Sequence, residues 1–211
     1  MSDGKFITFE GGEGAGKSTQ VRLLADCLRH TGISVTETRE PGGSPGAEAI
    51  RGLLVTGGTD RWSGSAEALL NYAARRDHMD RTILPALADG EWVICDRFAD
   101  STMAYQGYGH QLGQEWVSGL HQLVMADFKP DLTFVFDITP DQGLKRANSR
   151  SDTEDRYERM NSEFHDRLRD GFLKIAAAEP ERCVVLDASG TVEDIQAEII
   201  TIVSERLGLE S

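Results

Sequence analysis

The chain is poor in the features that mark secreted, membrane-spanning or nucleic-acid-binding proteins. Its three cysteines, Cys27, Cys95 and Cys183, are odd in number and widely scattered. No metal-ligand spacing joins them to one another or to the five histidines, which excludes a disulfide framework and a zinc-finger pattern. Cys95 and Cys183 lie in apolar, strand-like runs, so the expectation is buried, reduced thiols in a cytoplasmic protein. No stretch approaches the roughly 18 apolar residues of a membrane span. The opening MSDGKFITFE lacks the charged-then-apolar pattern of a signal peptide. Positive charge is scarce: 22 Lys and Arg face 35 Asp and Glu, for a net charge of −13. That argues against nucleic acid or an anionic membrane as partner, although a local basic pocket could still hold a nucleotide. There is no internal repeat and no low-complexity tract.

What is present suits an ordinary globular domain. Hydrophobic residues make up 39% of the 211 and charged residues 27%, enough for a sizeable core. The length suits one domain over 1–211 with at most a small mobile part. Lys5–Glu10, Ile33–Arg39, Trp92–Asp96, Leu132–Asp137 and Cys183–Asp187 read as strands. Near-continuous apolar runs such as WVIC and FVF suit strands buried on both faces of a parallel sheet. Between them lie helical patterns. Lys17–His30 places Val21, Leu24, Ala25 and Leu28 on one face; Ala66–Leu87 and Gln114–Ala126 are further helices. Thr139–Pro140 reads as an N-cap with proline first in the helix, and Thr191 with Asp194 resembles a capping box before Ile195–Leu207. Val55–Ser65 and Asn148–Asp155 read as loops. Strand and helix in alternation predict an α/β fold, a five-stranded parallel sheet with helices on both faces.

GGEGAGKS matches the P-loop pattern, with Gly11, Gly16, Lys17 and Ser18 in the required places after an apolar strand and before a helix. Glycines in such a loop turn backbone N–H groups toward phosphate oxygens, and the helix N-terminus adds partial positive charge. Lys17 can reach the β- and γ-phosphates and Ser18 can ligate Mg²⁺. The loop implies ATP or GTP. The Asn-Lys-x-Asp signature of a guanine-specific GTPase is missing, and the chain is short for a motor.

In CDRFADSTMAYQGYG, Asp96 ends a buried strand at the edge where a metal-linked aspartate would sit, and Arg97 follows it. Arg97 can fork onto a second phosphate; the pair also reads as a structural ion pair. Arg75, Arg76 and Arg81 form a helical cluster that either serves a ligand, with Tyr72 beside Arg75 to grip a base, or pairs with Asp77 and Asp80 on a solvated face. Arg146, Arg150, Arg156 and Arg159 surround the polar segment NSRSDTED. They suit either a flap that closes over a transferring phosphate or an exposed, salt-bridged helix start.

Taken in order, FEGGEGAGKST, TREPGGS, IRGLL, AARRDH, DRFADSTMAYQG and PDLTFVFDITPDQGLKR resemble the thymidylate kinase family, which moves the γ-phosphoryl group of ATP to dTMP. The likeness runs from about residue 6 to 165, and VVLDASGT with the last helix also fits. It implies a P-loop NTPase fold with a short lid at about 146–158, cytoplasmic dTTP synthesis and a homodimer through Ala66–Leu87 and Gln114–Ala126. By this resemblance Gly11, Gly12, Glu13, Gly14, Ala15, Gly16, Lys17, Ser18 and Thr19 would bind ATP, with Ser18 and Asp96 at Mg²⁺. Arg97 would clamp the dTMP phosphate with help from Arg51, Glu13 would face the sugar 3′-hydroxyl, and Tyr105 would crowd C2′. Arg75, Thr102 and Gln106 would hydrogen-bond thymine. Ala15 leaves the loop without an arginine, the bacterial pattern in which lid arginines take over; Arg150 and Arg156 are the candidates, with Arg146 behind them and Glu158 as an added carboxylate. One departure concerns the base. The family's stacking phenylalanine lies four residues before the base-reading arginine, and counting from Arg75 gives Asn71. Either Tyr72 substitutes, or Arg76 reads the base with Tyr72 in register. Another nucleotide kinase of this fold and an ATP-dependent P-loop switch are the rival readings.

Overall fold

A computed structural model of the chain describes residues 4–147 and 155–209. The strands β1 (Phe6–Gly11), β2 (Val35–Arg39), β3 (Trp92–Asp96), β4 (Leu132–Asp137) and β5 (Cys183–Asp187) form one sheet in the order β2-β3-β1-β4-β5, with every neighbouring pair parallel. Around it lie α1 (Lys17–His30), α2 (Pro45–Leu54), α3 (Gly64–His78), α4 (Leu84–Ala88), α5 (Ala99–Thr102), α6 (Gln114–Met125), α7 (Pro140–Ala147), α8 (Ser162–Ala178) and α9 (Val192–Leu207). Among the described residues no helix is long and apolar enough to cross a membrane.

The strand boundaries depart slightly from the sequence pattern. β1 starts and ends one residue later than Lys5–Glu10, and β2 starts at Val35 because the Ile33 N–H instead closes the end of α1 on the Leu28 carbonyl at 3.1 Å. The helix expected over Ala66–Leu87 is one path with a wider turn in it. A π-helical stretch, Met79–Ile83, joins α3 to α4, and the Leu84 N–H reaches the Met79 carbonyl. Pro85 has no N–H to give the carbonyl one turn back, and the wider turn accommodates it. A second π-helical stretch, Met103–Gly109, continues α5. Ser44 caps α2 with Pro45 in first position, and Ser63 caps α3, which ends the loop expected over Val55–Ser65. Thr191 accepts the Asp194 N–H at 3.1 Å, the cap expected for α9. Of the expected lid, residues 148–154 lie outside the described residues.

Both faces of the sheet are covered, as the apolar runs require. Ile7 and Phe9 of β1 pack with Leu24 and Leu28 of α1 and Ile199 and Val203 of α9. On the opposite face Phe6 packs with Ile83, Val93 and Phe98, while Val135 meets Phe164, Leu168 and Phe172 of α8. Alternation along β1 then puts Glu10 on the Phe6 face, fully buried. The register pairs Phe9 with Asp96 and Gly11 with Phe136. The carboxyl ends of the three central strands therefore meet at one edge, where ligands bind in such sheets.

Candidate active site

The loop after β1 is held open for an anion. Gly14 and Gly16 have φ of +66° and +92°, left-handed values that only glycine adopts freely. Gly14 also has no room for a side chain, since a Cβ there would lie 1.9 Å from the Gly143 carbonyl of α7. Gly16 caps α1 without a side-chain hydrogen bond, and no acid lies in the first turn, so the N-terminal N–H groups face no competing carboxylate of their own helix. Ala15 is buried in the core, and the Thr19 N–H turns back to the Gly16 carbonyl at 3.2 Å. Lys17 Nζ donates to the carbonyls of Gly11 (3.1 Å) and Gly12 (2.7 Å), which poises it over the loop. Burial, together with the nearby Arg97 charge, pushes its pKa down to about 8 against the pull of Asp96, Glu13 and Glu10.

Ser18 of α1 donates its hydroxyl to the Asp96 carboxylate at the end of β3. A hydroxyl and a carboxylate, both hard oxygen donors beside a phosphate loop, fit a Mg²⁺ that takes its other ligands from water and phosphate. Among the described residues no group of three or more His, Cys, Asp or Glu is arranged to hold a metal by itself.

Arg97 adopts φ +70°, a left-handed conformation that costs a non-glycine residue roughly 1–3 kcal/mol and is retained mostly at functional sites. The turn aims its guanidinium back at the loop. Nη1 donates to the Gly11 carbonyl at 2.8 Å and to Ser101 at 3.2 Å, and Nη2 pairs with Glu13 at 3.0 Å. The guanidinium also lies 5.0 Å from the Tyr105 ring centre, and the Tyr105 hydroxyl donates to Glu13. Burial acts to raise the Glu13 carboxyl, but the Arg97 and Lys17 charges and the Tyr105 hydrogen bond outweigh it and hold the pKa at about 2. For Arg97 burial works downward, and the neighbouring acids and Tyr105 still raise it above the ordinary arginine value.

Glu10 is a member of this site that the sequence reading did not single out. It accepts from the Phe98 N–H at 2.7 Å and the Ser101 hydroxyl at 2.5 Å, and so fixes the turn that carries Arg97. Burial and the Asp100 charge raise its pKa to about 7. The available signal was a lone acid ending the apolar run FITFE.

A cavity opens beside Arg97, lined by Glu13, Arg51, Asn71, Tyr105, Gln106 and Glu158 among others. Arg51 donates to the Pro41 carbonyl at 2.8 Å. On α3, Asn71 lines the cavity, and Arg75, one turn on, is buried. Arg75 donates to Glu40 (2.7 Å), the Phe98 carbonyl (3.0 Å) and Thr102 (3.0 Å). Arg76 instead points outward to Asp80. Tyr72, expected to contact substrate, does not line this cavity. Its hydroxyl meets His121 of α6 at 3.2 Å and its ring backs the Arg75 guanidinium at 4.7 Å, because position 72 is turned about 100° around α3 from position 71.

The lid candidates separate. Arg150 lies outside the described residues. Arg156 is fully buried. Its three nitrogens donate to the carbonyls of Gly58 (2.9 Å), Leu54 (3.0 Å) and Thr59 (3.2 Å) and to the Glu67 carboxylate. A guanidinium committed in this way ties the C-terminal part of the expected lid to the chain between Leu54 and Thr59 rather than reaching for phosphate, which corrects the expectation for Arg156. Arg146 donates to the Ala188 carbonyl at 2.8 Å.

The thymidylate kinase family model matches residues 9–199. A thymidylate kinase of Caulobacter vibrioides is 54% identical over 209 residues, 99% of this chain and all of the relative. One from a Bradyrhizobium species is 49% identical, covering 97% of this chain and 91% of the relative. The crystal structure of thymidylate kinase from Ehrlichia chaffeensis superposes with a TM-score of 0.77 at 37% identity, covering 95% of this chain and 98% of that one. On the sequence match and the shared architecture, the chain belongs to the thymidylate kinase family.

Proposed function

We propose that the chain transfers the γ-phosphoryl group of ATP to dTMP, giving dTDP for dTTP synthesis, by direct in-line displacement. Family membership carries the reaction and both substrates. The observation that carries the site reading is Arg97: its guanidinium bridges the phosphate loop and the acceptor cavity. The loop amides and Lys17 would hold the ATP phosphates. Arg97, with Arg51 beside it in the cavity, would hold the dTMP phosphate in line, and lid Arg150 would add charge at the transferring group. Bound at Ser18 and Asp96, Mg²⁺ would neutralise developing negative charge on the phosphates. The nucleophile is already an anionic phosphate oxygen, so no general base is required.

In this reading Glu13 and Tyr105 sit at the sugar, and Arg75, Thr102 and Gln106 read the base. Two copies would meet through α3 and α6, where Leu69, Trp116 and Leu123 are exposed large apolar side chains. Free, unpaired Cys27, Cys95 and Cys183 accord with a cytoplasmic protein.

The test is ADP release with ATP and Mg²⁺, offering dTMP, dUMP, dCMP, dGMP, AMP and thymidine separately. Strong turnover with dTMP, lost in Arg97→Ala, is expected. Turnover with a different acceptor alone would overturn the substrate, and a monomer by sedimentation would overturn the dimer.

A further inference from the structure

Beside the acceptor cavity lies a buried polar cluster that joins Gln106 and Arg156. Its centre is Glu67 of α3, which is 0% exposed. One carboxylate oxygen takes the Arg156 guanidinium; the other accepts from Gln106 Nε2 at 3.0 Å and the Tyr157 hydroxyl at 3.2 Å, with His110 Nε2 also 3.2 Å away. Burial acts to raise the Glu67 carboxyl, but His110 and Arg156 hold it below the ordinary carboxylate value, so it is ionised at neutral pH.

An ionised carboxylate has no proton to give, so a glutamine beside it can present only its NH₂ group. Gln106 is thereby locked in one amide orientation, and its Oε1 is left as the atom free for a ligand. That atom is buried and has no partner among the described residues. Nη1 of Arg75 is in the same condition. The two are linked through Thr102, which accepts from Arg75 and lies one helical turn before Gln106. Buried polar atoms without partners are costly unless a ligand satisfies them. Here one is an obligatory donor and the other, because of Glu67, an obligatory acceptor. A pyrimidine with a 4-oxo group and an N3–H offers the complementary pair, whereas a 4-amino pyrimidine offers a donor and an acceptor in reversed places.

We propose that Glu67, clamped by Arg156, is a positioning residue for base recognition. It fixes the Gln106 amide and so sets the preference for 4-oxo over 4-amino pyrimidine nucleotides. The proposal rests on the dTMP kinase reading and assigns the determinant within it.

The test is steady-state kinetics with dTMP, dUMP and dCMP at saturating ATP on wild type, Glu67→Gln, Gln106→Leu and the double variant. A glutamine at 67 can donate as well as accept, which frees the Gln106 amide to turn. Glu67→Gln should raise KM for dTMP and dUMP and cut the dTMP-to-dCMP ratio of kcat/KM by about 10–100-fold, since hydrogen-bond readout can supply discrimination of that order or more. KM for ATP should stay unchanged. In the Gln106→Leu background, Glu67→Gln should move the ratio no further. Because Glu67→Gln leaves a buried arginine without its counter-charge, Glu67→Gln with Arg156→Met serves as a second variant, with the same fall in ratio expected. An unchanged ratio in either variant, or a change that persists without Gln106, overturns the proposal while the kinase reading stands. Wild type that ignores dTMP overturns the kinase reading and this inference with it.

Discussion

Arg97 and Glu13 meet at 3.0 Å, joining the turn after β3 to the middle of the phosphate loop. The guanidinium is thus preset beside the loop with a carboxylate neighbour, and an incoming phosphate can take the donors of the fork. Arg97→Ala should lower kcat/KM for dTMP by roughly 10²-fold or more, the order lost when a reactant is no longer held in line. Arg97→Lys keeps the charge but loses the paired geometry and should recover little of it. ATP binding measured by calorimetry should persist in both. Near-normal turnover in Arg97→Ala would remove Arg97 from the acceptor site.

Gly143 of α7 is outside every phosphate-binding motif, yet a Cβ there would lie 2.4 Å from the Glu13 carbonyl. The loop rests on this helix at two glycine contacts, Gly14 and Gly143. Gly143→Ala should therefore displace the loop and raise KM for ATP, although alanine is the better helix former by about 1 kcal/mol. Far-ultraviolet circular dichroism should be unaltered. An unchanged KM for ATP would show that the loop does not depend on this support.

The sheet and the phosphate cradle were legible in the sequence because each depends on local pattern: buried parallel strands read as apolar runs, and the loop is contiguous. The α3 wall of the cavity was less legible because one helical face carries it. Only the helical register decides that Asn71 lines the cavity while Tyr72 backs Arg75 from behind. Arg156 was misread for a related reason. A polar, arginine-bearing stretch gives no sign that one of its arginines is drawn inside by Glu67, which lies 89 residues earlier. Glu10 and Glu67 were missed because a single acid acquires meaning only from partners brought to it by the fold.

Arg156 and Arg76 make a matched pair for stability. Both bond a carboxylate, but Arg156 with Glu67 is fully buried, whereas the Arg76 and Asp80 side chains are 39% and 56% exposed. Arg156→Ala leaves a buried carboxylate unpaired and should cost about 3–5 kcal/mol in urea unfolding. Arg76→Ala should stay within about 1 kcal/mol of wild type. Equal effects would contradict the burial assigned to Arg156.

Lys17 has its pKa lowered to about 8 without ATP, and ATP phosphates favour the charged form. Binding at pH 8 should therefore take up a fraction of a proton, whereas at pH 6.5 Lys17 is already charged and uptake at this site should vanish. Calorimetry in two buffers of different ionisation enthalpy reads the difference directly. The folded pKa lies below the ordinary value of 10.5, so the unfolded chain holds more protons between about pH 8 and 10.5, and this group alone makes stability rise with pH there. Lys17→Met should abolish the uptake at pH 8; uptake that survives would place the titrating group elsewhere.

Glu10 titrates with the opposite sense. Its carboxyl is raised from 4.5 to about 7 by burial and the Asp100 charge. Between those values the folded protein holds more protons than the unfolded chain, so this group's contribution falls as pH rises from 4.5 through 7. The integrated change is on the order of 3 kcal/mol at about 1.4 kcal/mol per pKa unit. Glu10→Gln keeps an oxygen to accept the Phe98 N–H but cannot ionise. Its stability relative to wild type should therefore improve between pH 5 and pH 8, whatever its absolute value at either pH. Urea unfolding of both proteins at the two pH values gives the comparison. A relative stability that stays flat or falls across that interval would mean that Glu10 is already ionised at pH 5, its charge held by Arg97 and Ser101.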